Sequence, residues 1–184
     1  MRVTFLLLLL VLIAGCSQTQ ADAPVDEPAA APIYLDLRDG ILTLVPAEIG
    51  LAPQEGGPRV WGVLMEMVID DTPVSLVSVA DGSTSLYFGN GGGIIGAGET
   101  AAVAAATDQF ITTAERLLPE MSRTDAFPLP VAGRVIFYVL THDGAYTADV
   151  VEPDLQAGGH VLSPLYTMGQ DVITQVRLHQ QSGQ

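Results

Sequence analysis

"VWGVLMEMVIDDTPVSLVSVADGSTSLYF", residues 60 to 88, holds three apolar runs separated by two tight acidic breaks. The first run alternates: Trp61, Val63, Met65, Met67 and Ile69 fall on one face of an extended chain, with Gly62 and Glu66 on the other. Alternation of that kind predicts a strand over 60–69 with one covered face and one partly wet face. "DDTP" at Asp70 to Pro73 turns the chain back, and "VSLVSVA" and "TSLYF" then flank Asp81-Gly82. Asp-Gly between apolar runs is a strong hairpin signal, because both central turn positions tolerate positive φ. The stretch therefore predicts three consecutive antiparallel strands.

The same dipeptide occurs at Asp39-Gly40 and Asp143-Gly144. On that signal "IYLDLR" pairs with "ILTLV" near the start of the chain, and "RVIFYVLT" pairs with "AYTADVV" near its end. Residues 47–59, "AEIGLAPQEGGPR", form a connecting loop that can hold a short helical turn. Between 99 and 118, Val103, Ala106, Phe110, Ala114 and Leu117 share one helical stripe, while Asp108, Gln109, Thr112, Glu115 and Arg116 lie elsewhere. The last helix opens at Ser163 as N-cap with Pro164 at its first position, and buries Leu165, Met168, Val172, Ile173 and Val176. The order of a hairpin, three strands, a helix, two strands and a helix gives an α+β domain on a largely antiparallel sheet of about five to seven strands. Its element order loosely resembles the profilin-like group of folds, which includes longin and roadblock modules. That resemblance implies a small scaffolding or regulatory module.

"SLYFGNGGGIIGAGET", residues 85 to 100, contains a formal GxGxxG at Gly91, Gly93 and Gly96. A dinucleotide site places such glycines between the first strand of a parallel βαβ unit and its helix. Here the preceding strand follows an Asp-Gly hairpin, Ile94 and Ile95 read as a short extra strand or buried corner, and the helix begins only after Gly98. Glu99 at the positive helix end would repel a phosphate. The segment reads instead as a turn needing positive φ, with Gly96 and Gly98 allowing close passage past a neighbour. Asn90, Gly91, Gly92 and Gly93 remain a candidate loop for receiving a partner's backbone.

The chain begins "MRVTFLLLLLVLIAGCSQ": one basic residue, an apolar run from Val3 to Ala14, then small residues and Cys16. The run is shorter than the roughly 20 residues a spanning helix needs, and it reads as an export signal. Leu12 to Cys16 resembles the lipobox of bacterial lipoproteins. That resemblance implies removal of residues 1–15, lipidation and acylation (palmitate) at Cys16, and a place in the cell envelope. The site is then the periplasmic face of the outer membrane in a Gram-negative cell, a destination that Ser17 permits, or the outer leaflet of the cell membrane in a Gram-positive one. Cys16 is the chain's one cysteine, so the domain has no internal disulfide. Residues 17–32, rich in Ala, Pro, Gln and acids, form a flexible tether that can reach about 50 Å when extended. A single domain then occupies 33–184.

The chain has 7 arginines, no lysine and 21 acids. Without Arg2 the formal net charge is −15, from 6 arginines against 21 acids. Such a surface repels nucleic acid and favours basic or neutral partners. Without lysine no P-loop can form, and HExxH, paired His/Cys spacing and GxSxG are absent from the sequence. No cofactor or metal is expected; Asp70 and Asp71 could meet Asp81 to hold a hard cation, but they lack calcium-loop spacing. His142 fits a capped turn, His160 a loop where it could act as base or ligand, and His179 the end of the last helix. The leading expectation is a non-catalytic module, anchored through Cys16, that offers a sheet edge or the glycine loop to an envelope protein. The alternative is a small envelope enzyme or small-ligand binder using the glycine loop with His142 or His160.

Overall fold

A computed structural model describes residues 29–182. The stretches read above as an export signal (1–15), the lipidated Cys16 and the tether, as far as residue 28, lie outside the described residues.

The fold is α+β, built on a seven-stranded antiparallel sheet. Its strands are β1 (Val60–Ile69), β2 (Thr72–Val79), β3 (Thr84–Phe88), β4 (Gly93–Ile94), β5 (Ser122–Thr124), β6 (Arg134–Thr141) and β7 (Gly144–Val151), in the order β4-β3-β2-β1-β6-β7-β5. The helices are α1 (Pro32–Leu42), α2 (Ala101–Leu117), α3 (Glu152–Gln156) and α4 (Ser163–Ser182).

The central meander follows from its turns. Asp70 and Asp71 both adopt positive φ, at 48° and 59°, so Ile69 pairs with Thr72 across a two-residue turn of the hand that hairpins favour. Hairpins form at Asp81-Gly82 and around Asp143, but in the second the turn residues are His142 and Asp143, and Gly144 pairs with Thr141 as the first residue of β7. The two edge strands are short, with two residues in β4 and three in β5. Short edges limit pairing with other chains.

The structure departs from several of these expectations. The first Asp-Gly pair makes no hairpin: residues 32–42 are the helix α1. Tyr34, Arg38 and Leu42 are its buried residues, spaced by four, and Pro32 sits at its start. Gly40 lies exposed in the helix. The domain also takes in residues before 33: the Ala31 amide donates to the Gly89 carbonyl at 2.7 Å, and Ala30 packs on the core.

Trp61 does not share a face with Val63, Met65 and Met67. The β1–β6 register shifts between Val60 and Gly62, a bulge that turns Val60 to the Val63 side and Trp61 to the Leu64 side. Nor is either face wet. Val63, Met65, Met67 and Phe137 meet Phe110 of α2 and Leu165 and Val172 of α4 in one core. Trp61, Leu64, Val77 and Tyr138 form a second core beneath α1. The result is three layers, with α1 on one face of the sheet and α2 and α4 on the other. Gly169 of α4 permits the close approach, since a Cβ there would lie 2.6 Å from the Met65 thioether.

Both long helices follow their sequence stripes. Val103, Ala106, Phe110 and Ala114 are buried on α2, and Leu165, Val172 and Val176 on α4. Ile111 and two threonines, Thr107 and Thr113, widen the buried face of α2 beyond the apolar stripe.

Candidate functional site

Val60, Val79 and the Asp81-Gly82 turn lie at one end of the sheet, and α2 crosses the strands there. Two contacts fix the helix in place. On the β3 side, the Thr84 and Thr107 hydroxyls meet at 2.6 Å. Near the start of β1, the Glu115 carboxylate accepts the amides of Arg59 and Val60 at 2.9 and 2.7 Å. The chain enters α2 through a short 3₁₀ turn, Ala97–Glu99, laid directly on the hairpin tip: a Cβ on Gly98 would sit 1.9 Å from the Gly82 carbonyl oxygen. Glycine is the residue type that this approach accepts.

Between these contacts a cleft of about 470 Å³ opens between α2 and the β2–β3 hairpin. Val60, Val79 and Ile111 contribute its apolar lining, and Asp81, Asp108, Glu115 and Arg116 its charges. Its size falls within the range of small-ligand and side-chain pockets. A second cleft of about 250 Å³ adjoins it across Pro58, Val60 and Ala80, lined by Trp61, Leu51 and His142. The Nδ1 of His142 is buried there with no hydrogen-bond partner among the described residues.

A buried polar network on the opposite face was not anticipated. Arg38 forks onto Glu66, Nε to Oε1 and Nη2 to Oε2, each at 2.8 Å, and both side chains are almost fully buried. The guanidinium also donates to the carbonyls of Phe127 and Pro128, each at 3.0 Å. Ser75 donates to Glu66 at 2.7 Å and meets the Tyr34 hydroxyl at 2.8 Å, while Tyr138 donates to the Pro128 carbonyl. A bidentate pair with its remaining donors satisfied can persist in an apolar layer where a lone charge cannot. Burial pulls the Arg38 guanidinium down, but its hydrogen bonds to Glu66 and the charge of Glu66 outweigh it and hold it above its ordinary value. The network pins α1 to the sheet; it does not face the cleft.

Tyr34 is pushed up to about 12 by burial and by the charge of Glu66, and Tyr138 is raised for the same two reasons. A raised phenol stays protonated in the folded chain while it ionises in the unfolded one above about pH 10, so the unfolded state releases the proton first. Stability is accordingly full below about pH 10 and falls as pH rises toward 12. Urea unfolding at about pH 9 and about pH 11 should show that loss, and Tyr34→Phe should reduce it.

The other residues singled out in the sequence do not converge. Asn90, Gly91, Gly92 and Gly93 form the β3–β4 turn, with the Asn90 side chain accepting the Gly92 amide at 2.9 Å. Gly91 has φ of 91°, and a Cβ there would come within 3.0 Å of the Ile33 side chain. The loop packs against this chain's own residues 31 and 33, at the sheet end opposite the cleft.

His142 lies at the cleft end, so it is separated from the glycine loop by the length of the strands. His160 lies beyond the far end of β7, and its Nδ1 accepts the Leu162 amide at 3.1 Å, a turn contact ahead of α4. β3 and β7 are four strand spacings apart, about 19 Å at 4.8 Å each. His179 is exposed on the last turns of α4. Asp70 and Asp71 occupy one end of the eight-residue β2 and Asp81 the other, so these acids do not meet. Among the described residues, no group of three or more His, Cys, Asp or Glu side chains could hold a metal ion.

Comparison of the chain with models of known families, with curated proteins and with solved structures finds no match in any of the three.

Proposed function

We propose that this chain is a lipid-anchored protein of the bacterial cell envelope, held through Cys16, whose domain is a non-catalytic module for binding another envelope protein. One observation supports it above the others. The N-terminal segment enters the domain at Ala31, bonded to Gly89 at one end of the sheet, while the α2 cleft lies at the other end. The ten residues of β1 span about 30 Å between those ends. The cleft thus lies at the end farther from the anchored segment, where neither that segment nor its entry point covers it and a protein partner can reach it.

The N-terminal sequence supports the anchor, and the acidic balance of 21 acids against 7 arginines supports a basic or neutral partner. Among the described residues, no helix is long and apolar enough to cross a membrane. Two or more acyl chains give stable anchoring where one gives only marginal binding.

The expected result is that the native chain takes up labelled palmitate and sediments with membranes, and that Cys16→Ala abolishes the label. Unlabelled native chain, or equal labelling of both, would overturn the anchor.

A further inference from the structure

The α2 cleft combines an apolar lining with an acidic mouth. Asp81, Asp108 and Glu115 stand there against the single cation Arg116, and none of the four takes part in an ion pair among the described residues. Glu115 spends one oxygen on two backbone amides, and Asp81 holds the Ser83 amide within its turn. Arg116 donates to Thr113 on its own helix. Asp108 stands exposed at the mouth. Of the described arginines, Arg38, Arg59 and Arg134 already sit in the three ion pairs, and the chain has no lysine. The mouth is thus a carboxylate-rich opening above apolar floor residues, in a chain with few cations of its own to supply.

We infer that this cleft seats an arginine-bearing segment of the protein partner, an inference that rests on the binding-module reading above. The aliphatic stem lies over Val79 and Ile111, and the guanidinium meets Asp108 and Asp81. Long cationic side chains lay their stems on apolar surface and keep the head at a polar rim. Arginine suits the site better than lysine because its planar fork matches carboxylates and is more weakly hydrated. The adjoining cleft beside Trp61 leaves room for the segment to continue past Pro58.

The test uses the full chain in detergent, ¹⁵N-labelled and titrated with two tripeptide amides, acetyl-Ala-Arg-Ala and its citrulline counterpart, which keeps the shape without the charge. The arginine peptide should shift the amides of Asp81, Asp108 and Ile111 and bind about five-fold more tightly than the citrulline peptide, the ratio expected of one exposed charge pair. Asp108→Asn should weaken that preference, Asp108→Asn with Asp81→Asn should remove it, and Asp108→Asn should leave the unfolding midpoint unchanged. Equal binding of the two peptides, shifts scattered over remote acids such as Asp149 and Asp171, or no shift at all would overturn the inference. Should the peptides fail while crosslinks to a protein in cells still form from the cleft, the basic occupant falls and the binding module stands; loss of both removes the two together.

Discussion

Arg38→Met is expected to destabilise the domain by about 3–5 kcal/mol, because it leaves the Glu66 carboxylate buried without its counter-charge. It also removes the donors to the Phe127 and Pro128 carbonyls, which tie the segment before β6 to α1. The informative comparison is the double variant Arg38→Met/Glu66→Leu. Replacing both charges with apolar groups of similar volume removes the uncompensated ion, so the double variant should recover about half of the loss or more. Urea unfolding of the four proteins in the cycle reads the coupling directly. Losses that simply add would mean that the pair is not the element that pins α1.

Gly98→Ala has the next largest expected effect, and its sign can be set against that of another glycine. At Gly98 the added Cβ meets backbone atoms, the Gly82 carbonyl oxygen at 1.9 Å and carbon at 2.9 Å, and neither can swing aside as a side chain would. Overpacking of this kind costs about 1–3 kcal/mol, and here it pushes the β2–β3 tip away from the entry to α2, the two walls of the cleft. At Gly40, exposed in α1, nothing lies within 4 Å of the added Cβ. Gly40→Ala should stabilise the domain by about 0.8–1 kcal/mol through helix propensity alone. Opposite signs in chemical denaturation are the expected outcome. A neutral Gly98→Ala would show that the hairpin tip and the α2 entry are not in contact.

The parts of the fold that turn chemistry determines were legible in the sequence. Asp70-Asp71, Asp81-Gly82 and His142-Asp143 each join antiparallel strands, and the stripes of α2 and α4 have the helical period of apolar residues. Asp39-Gly40 carried the same local signal and gave a helix. The deciding information was tertiary: the second sheet face needed cover, and Tyr34, Arg38 and Leu42 supply it at a spacing of four. A buried arginine at the centre of that stripe looks polar in sequence, so the helical period is hidden where it matters. Glu66 misled in the same way, as a carboxylate read as evidence of a wet face and found fully buried against Arg38. Trp61 was lost to a bulge, which shifts side-chain parity without any mark in composition.

The cleft was less legible still. Its charged residues come from the β2–β3 turn and α2, and its apolar lining from β1, β2 and α2, with no spacing that joins them before the chain is folded. The pattern of the glycine segment, by contrast, is local and complete in the sequence. In the folded chain it serves this protein's own N-terminal segment, and its close passage at Gly98 shapes the cleft from behind.

On the function proposed above, the sheet end opposite the N-terminal entry is the one that meets a protein partner. This is tested most directly by placing a photo-reactive residue at Thr112, on the cleft, or at Asp71, on the opposite end, in the native chain in intact cells. The expected result is a discrete protein adduct from Thr112 that disappears with Gly98→Ala, and none from Asp71. Equal adducts from both positions, or an adduct from Asp71 alone, would contradict it.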